Sequence, residues 1–361
     1  MAETKKTEVT TVTTTTVTTT TTKNSGEGHF WTSWKPWVKV LACVGAFLLV
    51  AAIVLYFIFA RNTPKSNTME GTIERNTTLL FNKQKTPEKG DVVLFWHPEA
   101  DSIVPSSPDK NYYKMCRLYG KAWCSKAEVV SLNKKRRPVY ASRVVAVPGD
   151  VVSIKNNVVY VNNQPVEDPK DTKYHYIVVS EGYLNSTILD SLNLTKESMD
   201  CDEEYPETYL AYYRNIAGKN SSMALYSLTQ ESADKLAGLS MIKSVQKVAL
   251  PAEHYDPLVF PYEEPRHWNA SNFGPVLVPV QGKVLKLTTA ILPIYRRIIE
   301  VYEGNTLEVK NNVIYINGKE ANSYKFKRNY YFVLGDNRTS KDDSRYFGFL
   351  LDQHVKGVVI Q

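Results

Sequence analysis

With 361 residues, 43% hydrophobic and 22% charged, the chain has the composition of a globular protein and the length of one large or two smaller domains. A formal net charge of +7 is mild for this length, and its one dense basic run, Lys134-Lys135-Arg136-Arg137 before Pro138, reads as a solvated loop, so no nucleic-acid partner is expected. Tyr is abundant at 23 and Gly modest at 17, which favours strands over disorder.

Residues 1–24 are dominated by Thr with interspersed Val and can bury no core, so a disordered tail is expected over 1–36. An aromatic cluster follows, with Phe30, Trp31, Trp34 and Trp37, and then residues 40–60 carry no charge at all. That length matches a bilayer core, and Trp34, Trp37 and Tyr56 fit an interfacial aromatic belt. A transmembrane helix is expected over 37–61. Lys35 and Lys39 on one side balance Arg61 and Lys65 on the other, so charge does not set its orientation. Of the four cysteines, Cys43 lies inside the apolar run, whereas Cys116 and Cys124 are close enough to close a short loop if that part is exported. Cys201 would then be unpaired. No Cys/His spacing resembles a zinc site.

Beyond the apolar run the pattern changes to short β-branched strands, expected at 91–95, 143–147, 151–155 and 158–161, with Asn156-Asn157 as a hairpin turn. An internal repeat is visible. The stretch from Arg143 through Val151 to Asn162 resembles the stretch from Arg297 through Leu307 to Asn317, and both keep apolar alternation around a Lys-Asn-Asn turn. Two such copies fit two similar β-ribbons in one sheet system. Between them, residues 168–280 form a long insertion rich in Tyr and Pro, with one helix expected at 230–237 ending at Gly238.

Two polar segments could carry chemistry. Ser66-Asn67-Thr68-Met69-Glu70-Gly71-Thr72 is by itself a loop with hydroxyls. The stretch from Gly335-Asp336-Asn337-Arg338 to Asp343-Ser344-Arg345-Tyr346-Phe347-Gly348 is by itself a turn dense in hydrogen-bonding groups. Together with Gly90-Asp91-Val92-Val93 and with Tyr140-Ala141-Ser142-Arg143 leading into Val147-Pro148-Gly149-Asp150, and in this order, they resemble the type I signal peptidases. The Gly335–Gly348 stretch resembles that family's most specific signature. The long insertion and Phe273-Gly274-Pro275-Val276 resemble the insert-bearing branch of the bacterial enzymes.

The resemblance implies a mainly β fold: a signal-peptidase-like antiparallel β-sheet domain behind one N-terminal transmembrane helix, with a large mixed insertion. It divides the chain into a tail (1–36), a span (37–61), a first part of the β domain (62–167), the insertion (168–280) and a second part (281–361). It also implies a single-pass protein of the inner (plasma) membrane with its globular domain on the outer, periplasmic face. Its partners would be preprotein signal peptides, membrane lipid and, in one reading, an active signal peptidase paralogue. No cofactor or metal is expected, because the family's Ser/Lys dyad needs neither.

In that chemistry a neutral lysine takes the serine proton, and a hydroxyl with a backbone N–H stabilises the oxyanion. Mapped onto this sequence, the nucleophile position holds Thr68, the lysine position holds Ser142, and the oxyanion hydroxyl is Ser66. Tyr140, Arg143, Asp336, Asp343 and Arg345 match supporting positions. Gly71 replaces a proline, which is expected to loosen the loop. Where the signature has serine, beside the lysine in the family, this chain has Lys341. The two departures look like an exchange, with Lys341 returning an amine to Thr68 from another loop. Against this, Lys341 precedes Asp342 and Asp343, and carboxylates favour a charged lysine. Two functions follow: a signal peptide endopeptidase using Thr68 and Lys341, or a non-catalytic homologue that binds signal peptides or an active paralogue.

Overall fold

The computed structural model describes residues 35–106, 111–120, 123, 126–191, 194, 210–211, 214–215, 221–262 and 266–360. The expected Thr-rich tail falls almost wholly outside them, as do Cys124 and Cys201. The chain divides into two units, Met1–Tyr56 and Phe57–Gln361.

The first unit holds most of helix α1, Pro36–Ile58, 23 residues with no buried side chain. At 1.5 Å per residue it is roughly 35 Å long, enough to cross a bilayer. It stops at Ile58, short of the expected end at residue 61. Phe59–Asn62 is instead strand β1, paired antiparallel with β2, Leu79–Asn82. Lys83 N donates to Ile58 O at 2.8 Å, so the ladder claims the backbone where the helix ends. The uncharged run does not mark its own end, because Phe59 and Ala60 are as apolar as the helix before them.

The second unit continues with β3 (Val92–Trp96), β4 (Ser102–Ile103), α2 (Tyr112–Tyr119), β5 (Val130–Ser131) and β6 (Val139–Ala146). Next come β7 (Val151–Lys155), β8 (Val158–Val161) and β9 (Gln164–Val166). The following stretch holds β10 (Lys173–Ser180), α3 (Ser186–Ser191), β11 (Ser222–Thr229), α4 (Gln230–Ala237) and β12 (Ile242–Lys247). After β13 (Phe273–Leu277) and β14 (Val284–Lys286), α5 (Leu292–Arg297) runs into a π-helical turn at Ile298–Tyr302. The chain closes with β15 (Leu307–Lys310), β16 (Val313–Ile316), β17 (Lys319–Glu320), β18 (Ser323–Lys325), β19 (Tyr330–Leu334), α6 (Ser344–Phe347), β20 (Leu350–Leu351) and β21 (Val355–Val359).

The main sheet has the order β1-β2-β21-β3-β6-β19-β20, every pair antiparallel. At its centre β3 reads Val-Val-Leu-Phe-Trp without alternation because both of its faces are covered. Val93 and Phe95 pack with Val144, Val333, Phe347 and Val358 on one face. Val92 and Leu94 pack with Met69, Phe81, Ala141 and Val359 on the other.

Strands β7 and β8 and helix α4 have the expected bounds, and Asn156-Asn157 turns the hairpin with φ of 48° and 69°. The second copy of the repeat folds the same way, with Asn311-Asn312 at 47° and 64° between β15 and β16. Each ribbon is also closed alike. Asn162 accepts from Val151 N and donates to Asp150, while Asn317 accepts from Thr306 N and donates to Asn305. The ribbons do not share a sheet, however. The first belongs to β13-β7-β8-β9 and the second to β15-β16-β17. Their leaders differ as well. Arg143 lies inside β6, whereas Arg297 ends a helix that opens with Pro293 in its first turn and buries Leu292, Ile294 and Tyr295, and the π-helical turn after it buries Ile298 and Ile299.

The stretch 168–280 serves two sheets. Its own three strands, β11-β10-β12, carry a core of Tyr174, Tyr176, Val178, Tyr226, Leu228 and Leu236. Phe273–Leu277, further along, joins β7 in the four-stranded sheet.

Candidate active site

Residues 66–72 turn tightly after β1: Glu70 N bonds to Asn67 O and Ile73 N to Met69 O. Met69 is the anchor, buried against Val92, Leu94 and Ala141, and it fixes Thr68 against β6. Gly71 does not loosen this turn. Its φ is +112°, and a Cβ there would lie 2.5 Å from Asp171 O. Proline, locked near −65°, does not fit that backbone, and only a residue without Cβ permits the close approach.

The expected nucleophile and oxyanion positions come together. Thr68 is 0% exposed, and its Oγ1 lies 2.8 Å from Ser66 Oγ. Thr68 Oγ1 also donates to Ala141 O. A hydroxyl has one hydrogen, so the Ser66 hydroxyl must be the donor to Thr68. Ser66 Oγ in turn accepts from Ala141 N at 3.4 Å. The bonds form a closed circuit from Ala141 N–H through Ser66 and Thr68 to Ala141 C=O. Ser142, also 0% exposed, turns its hydroxyl back to the same carbonyl at 2.7 Å. Among the described residues, no lysine amine is hydrogen-bonded to Thr68.

The Gly335–Arg345 loop closes over Thr68. Asn337 N donates to Thr68 O at 2.8 Å and Asn337 Nδ2 to Asn67 O at 3.2 Å. Asp336, fully buried, accepts from Thr72 Oγ1 at 2.7 Å and from Arg143 Nε and Nη2 at 2.9 and 2.6 Å. Asp343 accepts from Gly335 N at one end of the loop and from Arg345 at the other, and Arg345 Nη2 also donates to the carbonyls of Arg338 and Ser340. Burial opposes the charge on Arg345, but the adjacent Asp343 carboxylate, together with Tyr346 and Tyr174, outweighs it and holds the guanidinium charged.

Lys341 is exposed. It lines a cavity of about 50 Å³ with Tyr174, Asp256, Ser271 and Arg338, and neither Ser66, Thr68 nor Ser142 lines that cavity. Tyr140 packs edge-on to His97, with ring centroids 4.7 Å apart. His97 was not singled out by sequence. It is buried between Tyr140 and Phe347, with Asp342 at 3.9 Å, and burial lowers its pKa so that it stays neutral. Nothing in its scattered position signalled this.

Among curated proteins none matches this chain. A family profile described as "Signal peptidase, peptidase S26" matches residues 34–255 and 322–360. The chain belongs to the signal peptidase family. Within a signal peptidase framework, the loop at Thr68, the strand at Ser142 and the loop at Asp336–Arg345 meet at one place, and Cys116 is held in a disulfide. Membrane association agrees with the family and with α1, a helix long and apolar enough to span a bilayer.

Proposed function

We propose that this signal peptidase homologue binds signal peptides without cutting them. The closed circuit of Ser66, Thr68 and the Ala141 peptide group carries the reading. An attacking hydroxyl must hand its proton to a base as it forms the new bond. Thr68 gives its hydrogen to a carbonyl, which is not a base at neutral pH, and the position of the family's amine holds a serine hydroxyl. Lys341 sits exposed beside Asp342, whereas a neutral amine base requires burial. The bound segment would be the signal peptide of an exported preprotein, or the homologue would hold an active paralogue. Export of the globular domain to the outer face fits the disulfide at Cys116. In this reading the 168–280 insertion and Phe273–Val276 support a kinship with the insert-bearing bacterial branch.

The test is a cleavage and binding assay of the full chain in detergent with a preprotein bearing an Ala-x-Ala site. The expected result is cross-linking to the signal peptide with no cleavage, and cleavage restored in a Thr68→Ser, Ser142→Lys, Lys341→Ser variant. Cleavage by the parent chain that disappears in Lys341→Ala would overturn the reading in favour of a Thr68/Lys341 dyad.

A further inference from the structure

The basic run at 134–137 takes no part in the site. It forms a 3₁₀ turn ahead of β6, with Lys134, Lys135 and Arg136 exposed. The Lys134 amine sits 4.8 Å from the Trp96 ring centroid and donates to Gln353 O. Lys356, from β21, places its amine 5.0 Å from the same ring. Among the described residues, none of Lys134, Lys135, Arg136, Arg137 and Lys356 forms an ion pair with a carboxylate.

Strand register locates this cluster. Phe59 pairs with Asn82, Asn82 with Val358 and Val358 with Val93. Stepping from that row towards Ile58 is stepping towards Val355 on β21 and Trp96 on β3, where Trp96 pairs with Val139. Trp96 lies three residues, roughly 10 Å, along the sheet in that direction. The end of the sheet that receives the chain from α1 is therefore the end that carries the basic run.

We propose that Lys134, Lys135, Arg136, Arg137 and Lys356, gathered around Trp96, bind the phosphates of anionic lipids in the membrane that α1 spans. The inference rests on the reading of α1 as a membrane span. A merely solvated loop gives no reason to bring Lys356, half-buried against Trp96 and Phe81, to the same place from a distant strand. Tryptophan suits the headgroup layer because its ring is apolar and its N–H polar. Each cation near an anionic surface strengthens association by about fivefold.

The experiment places the full chain in nanodiscs of phosphatidylcholine, or of equal parts phosphatidylcholine and phosphatidylglycerol, and follows hydrogen exchange at residues 130–141 and 353–358. Exchange is expected to slow by at least about fivefold in the anionic discs, the effect of one surface cation. Molar salt should remove the difference. A Lys134→Gln, Lys135→Gln, Arg136→Gln, Lys356→Gln variant, with its unfolding temperature as the folding control, should lose it too. Equal exchange in both discs, full protection in the variant, or the same protection from inorganic phosphate with neutral discs would overturn the inference alone. Failure of the chain to enter either disc would overturn the membrane-span reading and the inference with it.

Discussion

Thr68 differs from serine by one methyl group, yet its surroundings decide more than that methyl. Its hydroxyl is enclosed, its hydrogen is given to Ala141 O, and its own carbonyl is capped by Asn337. Gly335 makes this approach possible, since a Cβ there would lie 2.4 Å from Thr68 O and 3.1 Å from Thr68 Cβ. Gly335→Ala must push the two loops apart. Overpacking of this kind costs about 1–3 kcal/mol, so the denaturant midpoint should fall with an unchanged slope. A midpoint equal to the parent's would show that the loop yields freely.

At the scale of elements, the Gly335–Arg345 loop is held by two ion pairs whose carboxylates are fully buried. Asp336 reaches across to Arg143 on β6, and Asp343 folds back on Arg345. Arg143 also donates to Gly90 O, tying in the turn before β3. Removing one partner of such a pair leaves an uncompensated buried charge, at roughly 3–5 kcal/mol. Arg143→Met should lose stability on that scale, and adding Asp336→Leu should recover part of it. A double variant no more stable than Arg143→Met would mean that the carboxylate matters through Thr72 rather than through its charge. The repeat teaches a second point about elements. Its hairpins match because paired Asn residues accept positive φ in both turns. Its leaders diverge because Pro293 and a helical spacing of apolar residues stand where the first copy has strand residues.

For the whole molecule, two histidines report on burial. His354 lies buried with Arg137, Arg297 and Lys134 nearby, and burial first, then these cations, push its pKa down to about 3. His97 shifts the same way, with burial again the leading cause. The unfolded chain takes up a proton near pH 6.5 while the folded chain does not, so stability falls as pH drops below that value. The slope is about 1.4 kcal/mol per pH unit for each histidine that stays neutral. Between pH 6.5 and 5.5, above the ordinary carboxylate range, the unfolding free energy should decline, and His354→Gln should flatten the decline. A flat profile in the parent would contradict the neutral, buried state of both rings.

The sequence by itself determined what repeats locally. The uncharged run fixed a helix able to span a membrane, the Asn-Asn pairs fixed two hairpins, Gly238 marked the end of α4, and the motif order pointed to the family. These follow from neighbours in the chain, where periodicity and turn preference operate. Tertiary structure alone decided the rest. It ended α1 at Ile58 because β2 captures the following backbone, and it sent the two ribbons to different sheets. It made Gly71 a packing requirement against Asp171 rather than a loosened turn. It also joined Ser66, Thr68 and Ala141 in a closed circuit across 75 residues of sequence. Such contacts depend on which strands pair and in what register, and no local pattern encodes that.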